Sequence, residues 1–470
     1  MRITVPSDIA APSGPVPPSP RPPTPSLTGW PGSEIMADPI TARVLFSVWS
    51  GDPAVVVPSP PGAGKTRLVA LLAAALAHRA DLRVGIAAQT REQAVEIARR
   101  LGTLTDRAAL MWKATPPAPD SGDTPVVSGQ KVRWQGDVGA ILIGTTARWL
   151  FSDPDRVGAD VLIVDESWQC TYADLGALGA MAKQVVCVGD PGQIDPVVTG
   201  DVSRWEGSET APDLPAPIAL LAAHGDAVGM VRLAHTWRLG PDTTALIAPL
   251  FYPDLPFTSK RPPEHLTDSS GTVWPELAHR PITACAGPSD PALVTACAAR
   301  VRELLAADLV TTTGRRAMTA ADVAVVVPHV TQAAAIRALL SEYPGVLVGT
   351  ANSLQGLERP AVVVLHPLAG YRTAEPFNLD AGRACVMLSR HRAHMSVVID
   401  SASASVLAHG APSSALEVQT GLLAALHSTP AVEFNRKRKG HNNVRNNEDR
   451  IPCTRLGRNR HIRCSRSRRQ

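Results

Sequence analysis

Ala54-Val55-Val56-Val57-Pro58-Ser59-Pro60-Pro61-Gly62-Ala63-Gly64-Lys65-Thr66 is the stretch on which the fold turns. Ala54–Val57 predicts a short strand, apolar on both faces. A loop of small residues follows, and the run from Arg67 to Ala80 predicts a helix. In a strand–loop–helix unit of this kind, small residues let backbone N–H groups wrap phosphate oxygens, and the helix N-terminus favours their charge. Lys65 can then reach the β and γ oxygens, and Thr66 can hold Mg²⁺. Pro61, Gly62, Ala63, Gly64, Lys65, Thr66 and Arg67 are therefore the candidate phosphate contacts. Ser59 stands where such loops commonly carry their first Gly.

Outward from this unit, short apolar strands alternate with amphipathic helices from about residue 40 to 405. Val84–Ala88, Ala140–Ile143, Val161–Val164 and Val185–Val188 join Ala54–Val57 in a first group. Val323–Val327, Val346–Val348, Ala361–Leu365 and Ser396–Ile399 form a second. Strands apolar on both faces belong in parallel sheets covered by helices. The expected fold is α/β, with one doubly wound layer per group. Val161-Leu162-Ile163-Val164-Asp165-Glu166 ends in two acids. At a strand's carboxyl edge, Asp165 can hold Mg²⁺ through water, and Glu166 can orient or deprotonate an attacking water. Lying about one hundred residues beyond the loop, the pair completes the signature of an NTPase using ATP and Mg²⁺, with Thr66 and Asp165 as candidate metal ligands.

Four further stretches carry a resemblance. Asp165-Glu166-Ser167-Trp168-Gln169 fits DExxQ, and Gly189-Asp190-Pro191-Gly192-Gln193 fits GDxxQ. Gly349 to Glu358, containing Ser353-Leu354-Gln355-Gly356-Leu357-Glu358, fits SxQGxE. Met387-Leu388-Ser389-Arg390-His391-Arg392 is similar to LTRAR. In order and spacing the chain resembles superfamily 1 helicases over roughly residues 50–400, and within them the DExxQ branch typified by the nonsense-mediated decay helicase. The resemblance implies two tandem RecA-like P-loop domains sharing one nucleotide, and 5′→3′ movement on single-stranded DNA or RNA. It implies that Gln193 senses the γ-phosphate and that Arg238, in Leu233-Ala234-His235-Thr236-Trp237-Arg238, contacts it from the second domain. It makes Arg390 the arginine finger and Arg392 its helper. Gln355 and Gly356 would link nucleotide to nucleic acid, with Ser353 beside them, and Glu358 would take the ribose hydroxyl. Gln89-Thr90 and Thr145-Thr146 resemble the motifs that hold a nucleic-acid backbone; ordinary helix capping is the other reading of both pairs. A regulatory P-loop switch that binds a protein partner is the alternative function. No Gln in residues 37–52 could read adenine, so little base selectivity is expected. About 95 residues separate Lys65 from the acidic strand, leaving little room for inserted subdomains.

Composition agrees with a globular enzyme core: 44% hydrophobic and 19% charged residues. No apolar run approaches the ~18 residues that span a bilayer, and the N-terminus lacks an apolar signal core. Neither a membrane span nor secretion is therefore expected, and the location expected is cytoplasmic. The seven cysteines show no CxxC pairing and read as buried thiols in a reducing compartment. Net charge divides unevenly along the chain. Residues 436–470 hold 13 Lys/Arg against 2 Asp/Glu, a balance of +11 within a total of +4, leaving −7 for the rest. The organisation expected is a disordered Pro-rich leader over 1–36, a first domain over 37–212, a second over 213–405, a helix within 406–434 and a basic disordered tail over 435–470. The tail could bind phosphates non-specifically, or be an extension without a role.

Overall fold

The computed structural model describes residues 29–432 apart from 114–116, 135 and 137–138. The leader up to residue 28 and the tail from 433 lie outside the described residues.

The first layer is an eight-stranded, wholly parallel sheet. In chain order its strands are β1 (Ala54–Pro58), β2 (Val84–Ala88), β3 (Ala108–Met111), β4 (Val126–Val127), β5 (Ile141–Thr145), β6 (Ala159–Asp165), β7 (Ala182–Gly189) and β8 (Val228–Met230). They lie side by side in the order β4-β3-β5-β2-β6-β7-β1-β8. β1 and β2 are buried along their whole length, which is why they read as unbroken apolar runs. α1 (Pro39–Trp49) and α2 (Lys65–Arg79) cover one face. From Leu68 to Ala77 every residue of α2 is buried. The alanines favour helix and let neighbouring backbone approach closely. Gly32 uses that space: a Cβ there would lie 2.5 Å from the Leu71 carbonyl oxygen. Trp149, fully buried against β2, donates its indole N–H to the Ile86 carbonyl at 2.8 Å.

The second layer is a five-stranded parallel sheet in the order β9-β13-β12-β10-β11. Its strands are β9 (Leu277–Ile282), β10 (Val323–Val327), β11 (Leu347–Thr350), β12 (Arg359–Leu365) and β13 (His391–Asp400). Separate apolar cores fill its two faces. α3 (Pro241–Phe251), α4 (Ala381–Leu388) and α5 (Ser414–His427) pack together on one face, and Pro291–Leu305 with Val330–Leu339 on the other. Residues 265–267, 308–311 and 314–317 make a small antiparallel sheet.

The observed architecture is thus α/β with parallel sheets, and three boundaries differ from the expected organisation. Ser33–Ala37 is a 3₁₀ turn with Ile35 fully buried, so the folded chain begins ahead of residue 37. β8 pairs with β1, which carries the first layer past 212 to about residue 230. The C-terminal stretch holds two helices, Ser403–Ala408 and α5, followed by a main-chain bond from Val432 to His279 at the edge of β9. Among the described cysteines, Cys170, Cys187, Cys297 and Cys385 are buried thiols, whereas Cys285 is exposed. No helix among the described residues is long and apolar enough to cross a membrane.

Candidate nucleotide site between the two sheets

β1 ends at Pro58, and Ser59 anchors the loop that follows: its N–H and hydroxyl each donate to the Gly189 carbonyl at 2.9 Å. Gly62 and Gly64 take φ of 72° and 85°, a left-handed conformation that glycine adopts without strain. A Cβ on Gly64 would meet nothing within 4 Å, so this part of the loop is open. Lys65, first residue of α2, is buried. Its Nζ lies 3.4 Å from Asp190 Oδ2 and 3.9 Å from Glu166 Oε1. Thr66 is half-buried one residue on. Arg67 is exposed and pairs with Glu34 on the 33–37 turn.

The acids come from the carboxyl ends of β6 and β7, the edge at which parallel sheets bind ligands. Asp165 is fully buried and accepts the Glu166 N–H at 3.0 Å. Glu166 sits at φ 49°, unusual for a residue with a side chain. Burial, and then the Glu166 charge, push Asp165 up to about 7. Burial also raises Glu166 against the pull of Lys65, with Asp190 adding to the rise. Asp165 is a buried carboxylate at a strand end and Thr66 a half-buried hydroxyl at the start of α2, oxygen donors of the kind the expected Mg²⁺ takes.

A testable pH dependence follows. The Asp165 pKa stands above the 3.8 of a free carboxyl. Its protonated form therefore stabilises the fold at low pH, and this contribution is lost as pH rises through about 7. Cation affinity runs the other way, because the ligand must be deprotonated. Calorimetric titration with Mg²⁺–nucleotide between about pH 6 and about pH 8 should show affinity rising about tenfold per unit at first, then levelling.

Asp190, quoted in the GDxxQ stretch but given no role by sequence, is the hub. It accepts from Lys65, from the Gln193 amide, from Gly192 N–H at 3.1 Å and from the Tyr252 hydroxyl at 2.7 Å. Tyr252 follows α3 and packs in the second layer's core. A Cβ on Gly192 would lie 2.4 Å from its ring. Sequence reasoning missed Tyr252 altogether, since nothing near it in the chain is distinctive.

The second layer meets this loop directly. Thr236 Oγ1 donates to the Pro61 carbonyl at 2.7 Å and Trp237 N–H to the Gly62 carbonyl at 2.9 Å. Gly62→Ala would place its Cβ 2.3 Å from Arg238 Cβ. We expect about 1–3 kcal/mol of strain and nucleotide affinity about tenfold weaker, read by thermal unfolding and fluorescent-nucleotide titration. Gln355 donates to Gln193 Oε1 at 3.1 Å, joining the two layers at the Gln-Gly turn, where Gly356 has φ 79°. Arg238 pairs with Glu358 and donates to the Ser389 carbonyl at 3.2 Å. Arg392 holds the other oxygen of Glu358 at 3.3 Å and also pairs with Glu264 at 3.1 Å. Glu358, expected at a ribose hydroxyl, is thus clamped between two arginines. Burial would raise its pKa, but Arg238 and Arg392 hold it below the ordinary value. Arg390 is 2% exposed, donating to the Val386 carbonyl and the Ser389 hydroxyl at 2.9 and 2.8 Å. Burial, then the nearby Arg238 charge, push its pKa down to about 10, while Asp190 and Glu166 oppose this from across the cleft.

The candidate nucleic-acid residues are placed differently. Thr90 closes a capping box with Gln93 at the start of the helix Arg91–Gly102, and Thr145 caps Thr146–Leu150. Both hydroxyls therefore serve the fold. Gln89 donates to the Asp165 carbonyl at 3.2 Å and receives Thr146 Oγ1 at 3.3 Å, tying three strand ends together. The Ser353 hydroxyl closes a local turn onto Thr350. Trp237, unassigned by sequence, is 56% exposed, with Lys260 Nζ 5.9 Å from its ring centre.

Comparison with known proteins matches residues 45–212 to the AAA domain family. No curated protein matches the chain in sequence. Similar solved structures include the PRRSV helicase, 16% identical with a TM-score of 0.39, covering 76% of this chain and 54% of that one. The Arterivirus nonstructural protein 10 helicase is 15% identical at TM-score 0.39, covering 76% of this chain and 62% of its own. Its complex with DNA gives 15%, 0.39, 76% and 63% in the same terms. The chain thus spans less than two thirds of the length of these helicases. Residues 45–212, with the loop at Lys65 and the acids at 165 and 166, form a P-loop domain similar to the AAA domain.

Proposed function

We propose that the chain is an ATP-dependent superfamily 1 helicase or single-strand translocase of the DExxQ branch, with two RecA-like domains that hydrolyse ATP between them. One observation carries this reading. Lys65 joins Glu166 and Asp190 in the first layer, Gln193 joins Asp190 to Gln355 of the second, and Arg238 and Arg390 lie near enough for their charge to act on Glu166.

Phosphates entering the loop draw Lys65 away from Asp190. Thr66 and Asp165 would hold Mg²⁺, which when bound neutralises charge on the phosphates. Glu166 takes the proton of the attacking water. Gln193 lies between the phosphate site and Gln355, so the presence of a γ-phosphate is passed to the second layer. Arg238 and Arg390 meet the charge that develops on that phosphate, which makes hydrolysis depend on the two layers closing. A base stacked on Trp237 would be held without being read, in keeping with the absent adenine-reading Gln. Movement along single-stranded DNA or RNA follows if closure shifts the turns around Gln355 and Thr145, and the branch implies 5′→3′.

The test is displacement of streptavidin from oligonucleotides biotinylated at either end, with Lys65→Ala as control. ATP-dependent displacement from the 3′ end alone supports the full reading. Displacement from the 5′ end alone reverses the polarity. No displacement from either end, with hydrolysis retained, favours the regulatory switch.

A further inference from the structure

Glu276 lies immediately before β9, remote from every motif in the sequence, and no chemistry has been assigned to it. Its carboxylate is nonetheless the post to which both arginine-bearing segments are tied. We propose that Glu276 is a positioning residue for the arginines of the cleft. The proposal rests on the motor reading above and deepens it.

The first segment is the one carrying Arg238. It enters α3 through Gly240, an N-cap whose position has no side chain to satisfy the exposed amides. Glu276 supplies the missing acceptor from elsewhere in the chain. It takes Asp242 N–H at 3.3 Å, Thr243 N–H at 3.1 Å and the Thr243 hydroxyl. The approach is so close that a Cβ on residue 240 would lie 2.1 Å from Glu276 Oε2, which requires glycine there. The second segment is Arg390-His391-Arg392. His391 is fully buried, and its Nε2 lies 2.7 Å from Thr243 Oγ1. Since that hydroxyl donates to Glu276, it accepts from the imidazole, and the chain of donors runs His391 to Thr243 to Glu276. Arg261, 3.8 Å from Glu276, donates in turn to the Arg392 carbonyl.

The post itself is fixed. The Met395 N–H donates to the Glu276 carbonyl at 2.8 Å, so the residue belongs to the β9–β13 pairing. One buried carboxylate thereby sets the distance between Arg238 and Arg390, and Arg238 completes the loop by donating to the Ser389 carbonyl. The Glu276 carboxylate itself touches nothing in the P-loop, which the Arg238 segment meets through Thr236 and Trp237, ahead of the residues that Glu276 holds. Loss of Glu276 should therefore fall mainly on arginine placement, with the ground-state hold on nucleotide kept by Lys65 and the loop's own amides.

The test uses the full chain and three variants: Glu276→Gln, Thr243→Val and Arg390→Ala. For Glu276→Gln, kcat for ATP should fall about 100-fold, while affinity for a fluorescent ATP analogue stays within about twofold. Thr243→Val, which removes the hydroxyl that joins His391 to Glu276 and leaves the Thr243 N–H bond in place, should lower kcat about tenfold and serves if Glu276→Gln does not fold. Combining Thr243→Val with Arg390→Ala should give little loss beyond Arg390→Ala alone, because the His391 link acts through that arginine, whereas Glu276→Gln in the same background should keep only the part of its loss that passes through Arg238. Losses that multiply, or an affinity that falls in parallel with kcat, would overturn the proposal. Absence of hydrolysis in the wild-type chain would refute the motor reading and this proposal together. Hydrolysis that depends on Arg390 but is untouched by both positioning variants would refute the proposal alone.

Discussion

Replacing Arg390 with alanine is expected to lower ATP hydrolysis about a thousandfold and to leave nucleotide affinity close to that of the wild type. The guanidinium is buried at the end of α4, and burial with Arg238 nearby already pushes its pKa down to about 10. Such a charge is costly to keep unless something repays it. Among the described residues it donates to a main-chain carbonyl and a hydroxyl, so an anion entering beside it would be its strongest partner. Charge on the transferred phosphoryl oxygens grows in the transition state, which is why the loss should fall on kcat. Single-turnover kinetics with a parallel affinity measurement checks this. A thousandfold loss of affinity with unchanged turnover would place Arg390 in ground-state binding.

Lys65→Ala should act differently, lowering turnover about 10²–10³-fold and weakening nucleotide binding as well. Lys65 is the cation of a cluster that also contains Glu166 and Asp190. Its removal leaves the carboxylates of Glu166 and Asp190 facing one another without compensation, and the Glu166 pKa, already raised by burial, should rise further. The variant should therefore be less stable at neutral than at mildly acid pH, by comparison with the wild type. Thermal unfolding across that range, alongside hydrolysis, reads both effects. Retention of wild-type turnover would remove the P-loop from the chemistry.

The strands legible in the sequence share one property: helices cover both faces of their sheet. Val323–Val327 is buried throughout, so its apolar run is unbroken and needs no tertiary knowledge to read. The strands that escaped notice are short or lie at a sheet's edge: β3, though buried throughout, has only four residues, and β4 two. β9 carries His279, Arg280 and Pro281 at the sheet's edge, and β8 has only three residues. The motif residues were equally legible, because spacing along the chain places Lys65, Asp165, Glu166, Gln193 and Gln355 near strand ends. Residues whose importance is created by tertiary approach were not. Tyr252 matters because 62 residues of chain return it to Asp190, and Glu276 because it meets Thr243 and His391 from other elements. Sequence also could not say which hydroxyls the fold would use itself. Thr90 and Thr145 look the same as caps or as phosphate ligands, and capping occupies both.

That the two layers work one nucleotide in response to a nucleic-acid strand is tested most directly by steady-state ATP hydrolysis with and without single-stranded DNA and RNA. Many-fold stimulation by at least one polymer in the wild-type chain, abolished in Arg390→Ala, is the expected result. Hydrolysis that is indifferent to both polymers, or that is stimulated equally in Arg390→Ala, would contradict it.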